Sequence, residues 1–372
     1  MRRLTILATL LAALTLGLST ASTASAQSGG LPPSFYGVIP IQLMQFSEFQ
    51  QMKAGGIGTL RFPVIWREVE PQGDDQYDWS RIDYQIYNSA LVGAETMPFF
   101  YSTPKWATSG GCSTATKCQS VPPTSSQKTM DAFQDFLKDF VERYGANGTF
   151  WNDPNDQLDP PYAPVTQYQI WNEPSSPTYW NKPNAAQYGQ LVKTSNATIT
   201  SVDPDARLLL AGLFGTPQGD AASKNVMWKY LARFYQTASS DDFDAVALHP
   251  YSPDIRGLQF QLNKARKILD QHGDQAKEIL ITEIGWSSAK PSNDRPLVKG
   301  KKGQAKILKK SYNFLLNNRG KYNIGSIIWY AWADADHDIA GCEFCNTAGL
   351  FTLQGKPKKS WKALVAITGG TP

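Results

Sequence analysis

Tyr168-Gln169-Ile170-Trp171-Asn172-Glu173-Pro174 alternates apolar and polar residues and ends in a carboxylate followed by proline. A two-residue alternation has the period of a strand. Proline disfavours the α region for the residue before it, so Pro174 predicts an extended Glu173 at the strand's exit. An acid beside apolar strand residues is expensive unless something there needs it.

Outward from that run, β-type segments alternate with helical ones. Strands are expected at 35–39, 58–64, 96–101, 207–213, 243–248, 279–282 and 324–330, with the run above as the fourth. One helix should open at Ser47 with Gln50 three residues on, a capping pair. Another should cover 79–92. In a third, Met130, Phe133, Leu137, Phe140, Val141 and Tyr144 share one face and Gly145 marks the stop. Further helices are expected near 185–202 and 226–238, through Leu258, Leu262, Ala265 and Leu269, and around Trp361. Strand seven, Ile279-Leu280-Ile281-Thr282, is apolar and β-branched throughout, as a parallel strand covered on both faces should be. Strands and helices in this alternation predict an α/β chain folded as a (β/α)8 TIM barrel, whose chemistry gathers where strands end and loops begin.

At those ends the sequence places Glu173 after strand four and Glu283 after strand seven. Barrel closure would set them across one cleft, and a pair of carboxylates is what glycosidic bond cleavage generally uses. Arg61, inside the apolar second strand, needs an anionic partner. His249-Pro250-Tyr251 follows strand six, and Trp329-Tyr330-Ala331-Trp332 closes strand eight. Trp106 and Trp180 stand in the loops after strands three and four. The Pro-rich stretch before strand four joins a helix to a strand, so it belongs to the opposite face.

The chain has 372 residues, with 36 Lys and Arg against 32 Asp and Glu, a balance that gives no electrostatic case for nucleic acid or an anionic membrane surface. It begins with the form of an export signal: Arg2 and Arg3, an apolar stretch over 4–18, then Ala24-Ser25-Ala26. The expected division is a signal peptide at 1–26 and one catalytic domain at 27–372, secreted and without stable membrane insertion in its mature form. Four cysteines in an exported chain point to disulfides, locally Cys112 with Cys118 and Cys342 with Cys345. Zinc needs a ligand spacing that Cys112 and Cys118 supply poorly. Asp334, Asp336 and Asp338 alternate as in a calcium loop, but Ile339 and Cys345 stand where that loop requires Gly and Glu. No metal and no cofactor are expected.

Trp171-Asn172-Glu173-Pro174 and Thr282-Glu283-Ile284-Gly285, taken with Arg61, His249-Pro250-Tyr251 and 329–332, resemble clan A of the glycoside hydrolases. The likeness is nearest to families 39 and 5 and runs over about residues 35–365. It implies a retaining double displacement on β-linked glycosides or polysaccharide, with Glu173 as acid/base and Glu283 as nucleophile. It also implies that Arg61 and Tyr251 favour the charged form of Glu283 and that Asn172 holds the hydroxyl next to the reacting carbon. His249 would orient sugar or carboxylates, the alternative being a satisfied structural histidine. Tryptophans at strand exits are candidates to stack on sugar, Trp329 or Trp332 beneath the reacting ring and Trp106 or Trp180 farther along the cleft. The partner expected is an oligo- or polysaccharide. A non-catalytic carbohydrate-binding protein on a barrel scaffold and a transglycosylase, in which a sugar replaces water as acceptor, remain the alternatives.

Overall fold

The computed structural model describes residues 31–73, 75–108, 112–152, 159–215, 225–339 and 342–372, and the export segment expected at 1–26 lies outside them. Eight strands build one sheet: Tyr36–Ile39 (β1), Thr59–Ile65 (β2), Glu95–Tyr101 (β3), Gln167–Ile170 (β4), Arg207–Phe214 (β5), Ala245–His249 (β6), Glu278–Ile284 (β7) and Ile324–Tyr330 (β8). They close in sequence order, each parallel to its neighbours, with β8 paired back onto β1. A helix follows each strand, so the chain is the (β/α)8 TIM barrel that its alternation predicts. Among the described residues, closure of this sheet leaves none of its eight strands with an open edge.

Period-two alternation sorts the side chains of each strand. Ile39, Met97, Phe99, Leu209, Ala245, Leu280 and Ile328 form one buried cluster, with Tyr101 and Tyr330 packed against it. The opposite faces meet the helices. On Gln127–Tyr144, all six residues expected to share a face are buried, joined by Thr129 and Phe136, and Gly145 follows the last turn. Trp66, just past β2, is fully buried and packs against Phe133 and Phe136 of that helix.

The first helix is Phe46–Ala54, and its cap differs from the expected one. Glu48 Oε2, not a Ser47–Gln50 pair, accepts the Gln45 N–H at 2.7 Å. The chain is still extended at Gln45, so the helix starts one residue earlier than Ser47 and the capping geometry moves with it. Strand-start residues mark the far end of the barrel, where Arg207 of β5 and Glu278 of β7 pair at 2.8 Å. The described part of the insertion before β4 lies against the end of the preceding helix, with Trp151 Nε1 donating to the Tyr144 carbonyl and Tyr162 hydroxyl to that of Ala146.

Both expected cystines are present, Cys112–Cys118 and Cys342–Cys345, with Cα separations of 5.0 and 5.3 Å. They tie the loops that leave β3 and β8. Among the described residues no helix is long and apolar enough to cross a membrane.

Candidate active site

Arg61 projects from the middle of β2 and is fully buried. Its Nη1 donates to Glu283 Oε1 at 2.7 Å, its Nη2 to Asn172 Oδ1 at 3.2 Å and its Nε to Gln169 Oε1 at 3.2 Å. The guanidinium carbon lies 3.9 Å from the centre of the Phe99 ring. Strands β2, β3, β4 and β7 thus converge on one buried cation, which a lone charge in an apolar strand requires. Gln169 went unnoticed in the sequence. Its signal was there: a fully buried amide in a strand whose neighbours are apolar needs a polar partner inside the barrel.

Glu173 stands three residues past the end of β4, and its backbone is not extended as Pro174 led us to expect. Its φ is 41° and that of Trp171 is 70°, both in the left-handed region. The local turn overrides the proline preference. The Ser176 N–H donates to the Glu173 carbonyl at 2.8 Å, and the buried Trp171 indole donates to the Tyr179 carbonyl at 2.7 Å. Such conformations cost on the order of 1–3 kcal/mol each and persist where surrounding contacts over-determine them. Here they coincide with one of the two clustered carboxylates.

Glu283 lies within β7, one residue before its end. Its second oxygen accepts from the Tyr251 hydroxyl at 2.8 Å. His249, the last residue of β6, places Nδ1 2.7 Å from Glu173 Oε1 and 3.5 Å from Glu283 Oε2. One oxygen from each glutamate and the histidine nitrogen lie within 4.8 Å of one another. These are the only clustered carboxylate and imidazole ligands of that kind among the described residues. Arg61 and Tyr251 already donate to both oxygens of Glu283, which makes the trio a poor ligand set for a cation.

The surroundings push the groups apart electrostatically. Burial raises Glu173 well above the ordinary carboxylate range, the charge of Glu283 adds to this, and Arg61 partly offsets it. Burial lowers His249 well below the usual imidazole value, with Arg61 acting in the same direction, so the ring is neutral. Tyr251 is raised by burial and then by Glu283, and stays a donor. The arrangement favours the protonated form of Glu173 and surrounds Glu283 with donors.

Tyrosines rather than tryptophans approach the two acids. Tyr179 and Tyr330 are raised by burial and by the charges of both glutamates, and Tyr101 is pushed up to about 12 mainly by burial. Tyr101 and Tyr179 meet edge to face at 5.7 Å. Phe214 and Phe344 flank Tyr251 at 6.2 and 5.0 Å.

The expected platforms fail on strand parity. Ile328 and Tyr330 belong to the barrel interior, so Trp329 between them points outward, where it packs against Trp286 and Tyr312 and donates to the Ala348 carbonyl. Trp332, past a cis peptide between Tyr330 and Ala331, is buried against Phe351 and Trp361 and donates to Glu48 Oε1 at 2.7 Å. Trp180 is buried between Trp171 and Tyr188. None of the three offers a ring face to a ligand. Trp106 is half-buried, edge-on to Trp66, with its indole donating to the Glu70 carbonyl. Gly73, at a φ of 73°, covers part of its ring so closely that a Cβ there would fall 2.3 Å from it.

The family model described as the glycosyl hydrolase catalytic core matches residues 149–359, a span that holds both glutamates, His249 and Tyr251. No curated protein matches the chain in sequence. Solved structures share its fold. A family 39 glycoside hydrolase from Bacteroides cellulosilyticus is similar with a TM-score of 0.62 at 19% identity, covering 91% of this chain and 65% of that one. A monomeric β-xylosidase from Caulobacter crescentus gives 0.60 at 17% identity, over 89% and 67%. A GH5_18 protein from Bifidobacterium longum subsp. infantis gives 0.64 at 10% identity, over 90% and 78%. The chain therefore spans less than two thirds of the length of the first of these. With more than half of its residues under that family model, the chain belongs to the glycosyl hydrolase catalytic core family.

Proposed function

We propose that the protein is a secreted, retaining hydrolase of β-linked glycosides or polysaccharide, with Glu173 as general acid/base and Glu283 as nucleophile. The observation that carries this reading is the closeness of the two acids, whose nearest ligating oxygens lie within 4.8 Å. Retaining pairs stand roughly 5–5.5 Å apart, whereas inverting pairs need about 6.5–9.5 Å to admit a water between them. The raised pKa of Glu173 suits a proton donor, and the two donors on Glu283 suit a carboxylate that attacks the anomeric carbon.

In the first step a Glu283 oxygen bonds to the anomeric carbon while the glycosidic C–O bond breaks, and Glu173 gives its proton to the departing oxygen. In the second, Glu173 takes a proton from water, which displaces Glu283 and restores both groups. Arg61 and Tyr251 hold Glu283 in place, and Asn172, fixed by Arg61, faces the sugar hydroxyl beside the reacting carbon. The export segment at 1–26 and a catalytic domain at 27–372 complete the proposal. Similarity to a β-xylosidase and to family 39 and family 5 proteins favours a β-configured substrate.

A panel of aryl β-glycosides and β-linked polysaccharides, with product length read out, tests the activity. A 2-deoxy-2-fluoro glycoside of whichever sugar is cleaved should leave one glycosyl group on Glu283, detected by peptide mass. Label on another residue, or full turnover by Glu283→Gln, would sink the assignment. Azide should restore turnover of Glu173→Ala on an activated substrate, giving a glycosyl azide of retained configuration.

A further inference from the structure

Gly212 lies where the pairing of β5 with β6 shifts register, between Leu210 and Leu213. A Cβ built on it would fall 1.9 Å from His249 Nε2, 2.3 Å from Cδ2 and 2.5 Å from Cε1. The imidazole therefore rests its face on bare β5 backbone, a site closed to any residue with a side chain. On its other edge, Nδ1 meets Glu173 Oε1 at 2.7 Å. Nε2 is buried and has no hydrogen-bond partner among the described residues.

A neutral imidazole carries one proton, on one nitrogen or the other. On Nε2 that proton would be an orphaned buried donor, the rarer fault in folded proteins. On Nδ1 it meets a carboxyl oxygen and leaves Nε2 with only an unused lone pair.

We propose that Gly212 is a positioning residue whose missing side chain seats His249 as the Nδ1–H tautomer, donating to Glu173 Oε1 and so confining the acidic proton to Oε2. This rests on the assignment of Glu173 as the acid. During bond cleavage the proton passes from Oε2 to the leaving oxygen as the C–O bond breaks and Glu283 attacks, while His249 neither gains nor loses a proton.

The chain has three histidines, which makes a nitrogen-15 spectrum of labelled protein readable once His272→Gln and His337→Gln assign the other two. A neutral His249 protonated on Nδ1 is expected; protonation on Nε2, or on both nitrogens at neutral pH, overturns the tautomer. Gly212→Ala should lower kcat/KM about 10²-fold for glycosides with poor leaving groups, which need the acid, and leave a dinitrophenyl glycoside nearly unaffected. An equal loss on both substrates would mean a merely structural role and overturn the proposal.

Should Gly212→Ala fail to fold, the comparison of His249→Ala with Gly212→Ala/His249→Ala carries the test. Without the imidazole the added methyl has nothing to strike, so it should cost nothing further; an additional loss overturns the positioning role. The spectrum needs no turnover. A protein that cleaves no glycoside would refute the proposed function and leave the tautomer to be judged on its nitrogen signals.

Discussion

Glu173 and Arg61 are each costly to bury, and each is held by named partners. Replacing Arg61 with Met would leave Glu283 buried without its counter-charge. Breaking a buried pair from one side costs about 3–5 kcal/mol, so Arg61→Met should lose that much in denaturant unfolding as well as most turnover. The raised pKa of Glu173 has a defined sign for stability. The unfolded chain releases this proton at lower pH than the folded one, so stability from this group is full at acid pH and falls as pH rises through the folded value. Glu173→Gln removes the titration. Its melting temperature should gain on the native protein as pH rises above the ordinary carboxylate range, by roughly 1–2 °C for each kcal/mol in a domain of this length, while activity is lost. On the proposed assignment of Glu173 as the acid, turnover of the native protein should decline on the alkaline side as Glu173 loses its proton. These residues were legible in the sequence because a polar group at an apolar strand's end is conspicuous. Glu173's backbone was not, since the turn that overrides Pro174 depends on contacts from Tyr179 and Ser176.

β8 shows how far an element can be read, and where parity decides. Its bounds match the expected 324–330, because a strand buried on both faces announces itself by composition. Which residues face inward is fixed by pairing, and a shift of one residue exchanges the two faces. The inward set contains Tyr330 and excludes Trp329, so the aromatic motif is legible in the sequence while the ring that faces inward is not. Tyr330→Ala should raise KM about tenfold, the loss of roughly 1–1.5 kcal/mol of aromatic contact with sugar, besides whatever stability its packing against the barrel interior supplies. Trp329→Ala should instead destabilise by about 3–5 kcal/mol and leave kcat/KM of the folded fraction intact. The reverse outcome would restore Trp329 as the platform. The register shift in β5 was invisible for a similar reason: nothing in Leu210-Ala211-Gly212-Leu213 marks it except the glycine, and its meaning depends on His249 from the next strand.

Across the molecule, the site assembles from β2, β4, β6 and β7, and only closure brings these together. Arg61 lies outside the matched span of 149–359, so the family model covers both acids but not the cation paired with Glu283. The sequence carried the architecture because eight alternations leave few arrangements, whereas the cleft's lining depended on where each loop folds back. One consequence is optical. Trp66, Trp171, Trp180, Trp286, Trp329, Trp332 and Trp361 are all sealed within the protein, while Tyr101, Tyr179 and Tyr330 border the cleft. Emission from these seven should therefore be blue-shifted and report whether the barrel is folded, which leaves the half-buried Trp79 and Trp106 as the indoles able to answer sugar. Occupancy should show chiefly as a tyrosine difference absorbance, so a titration followed only by tryptophan fluorescence would see a small part of the response at most.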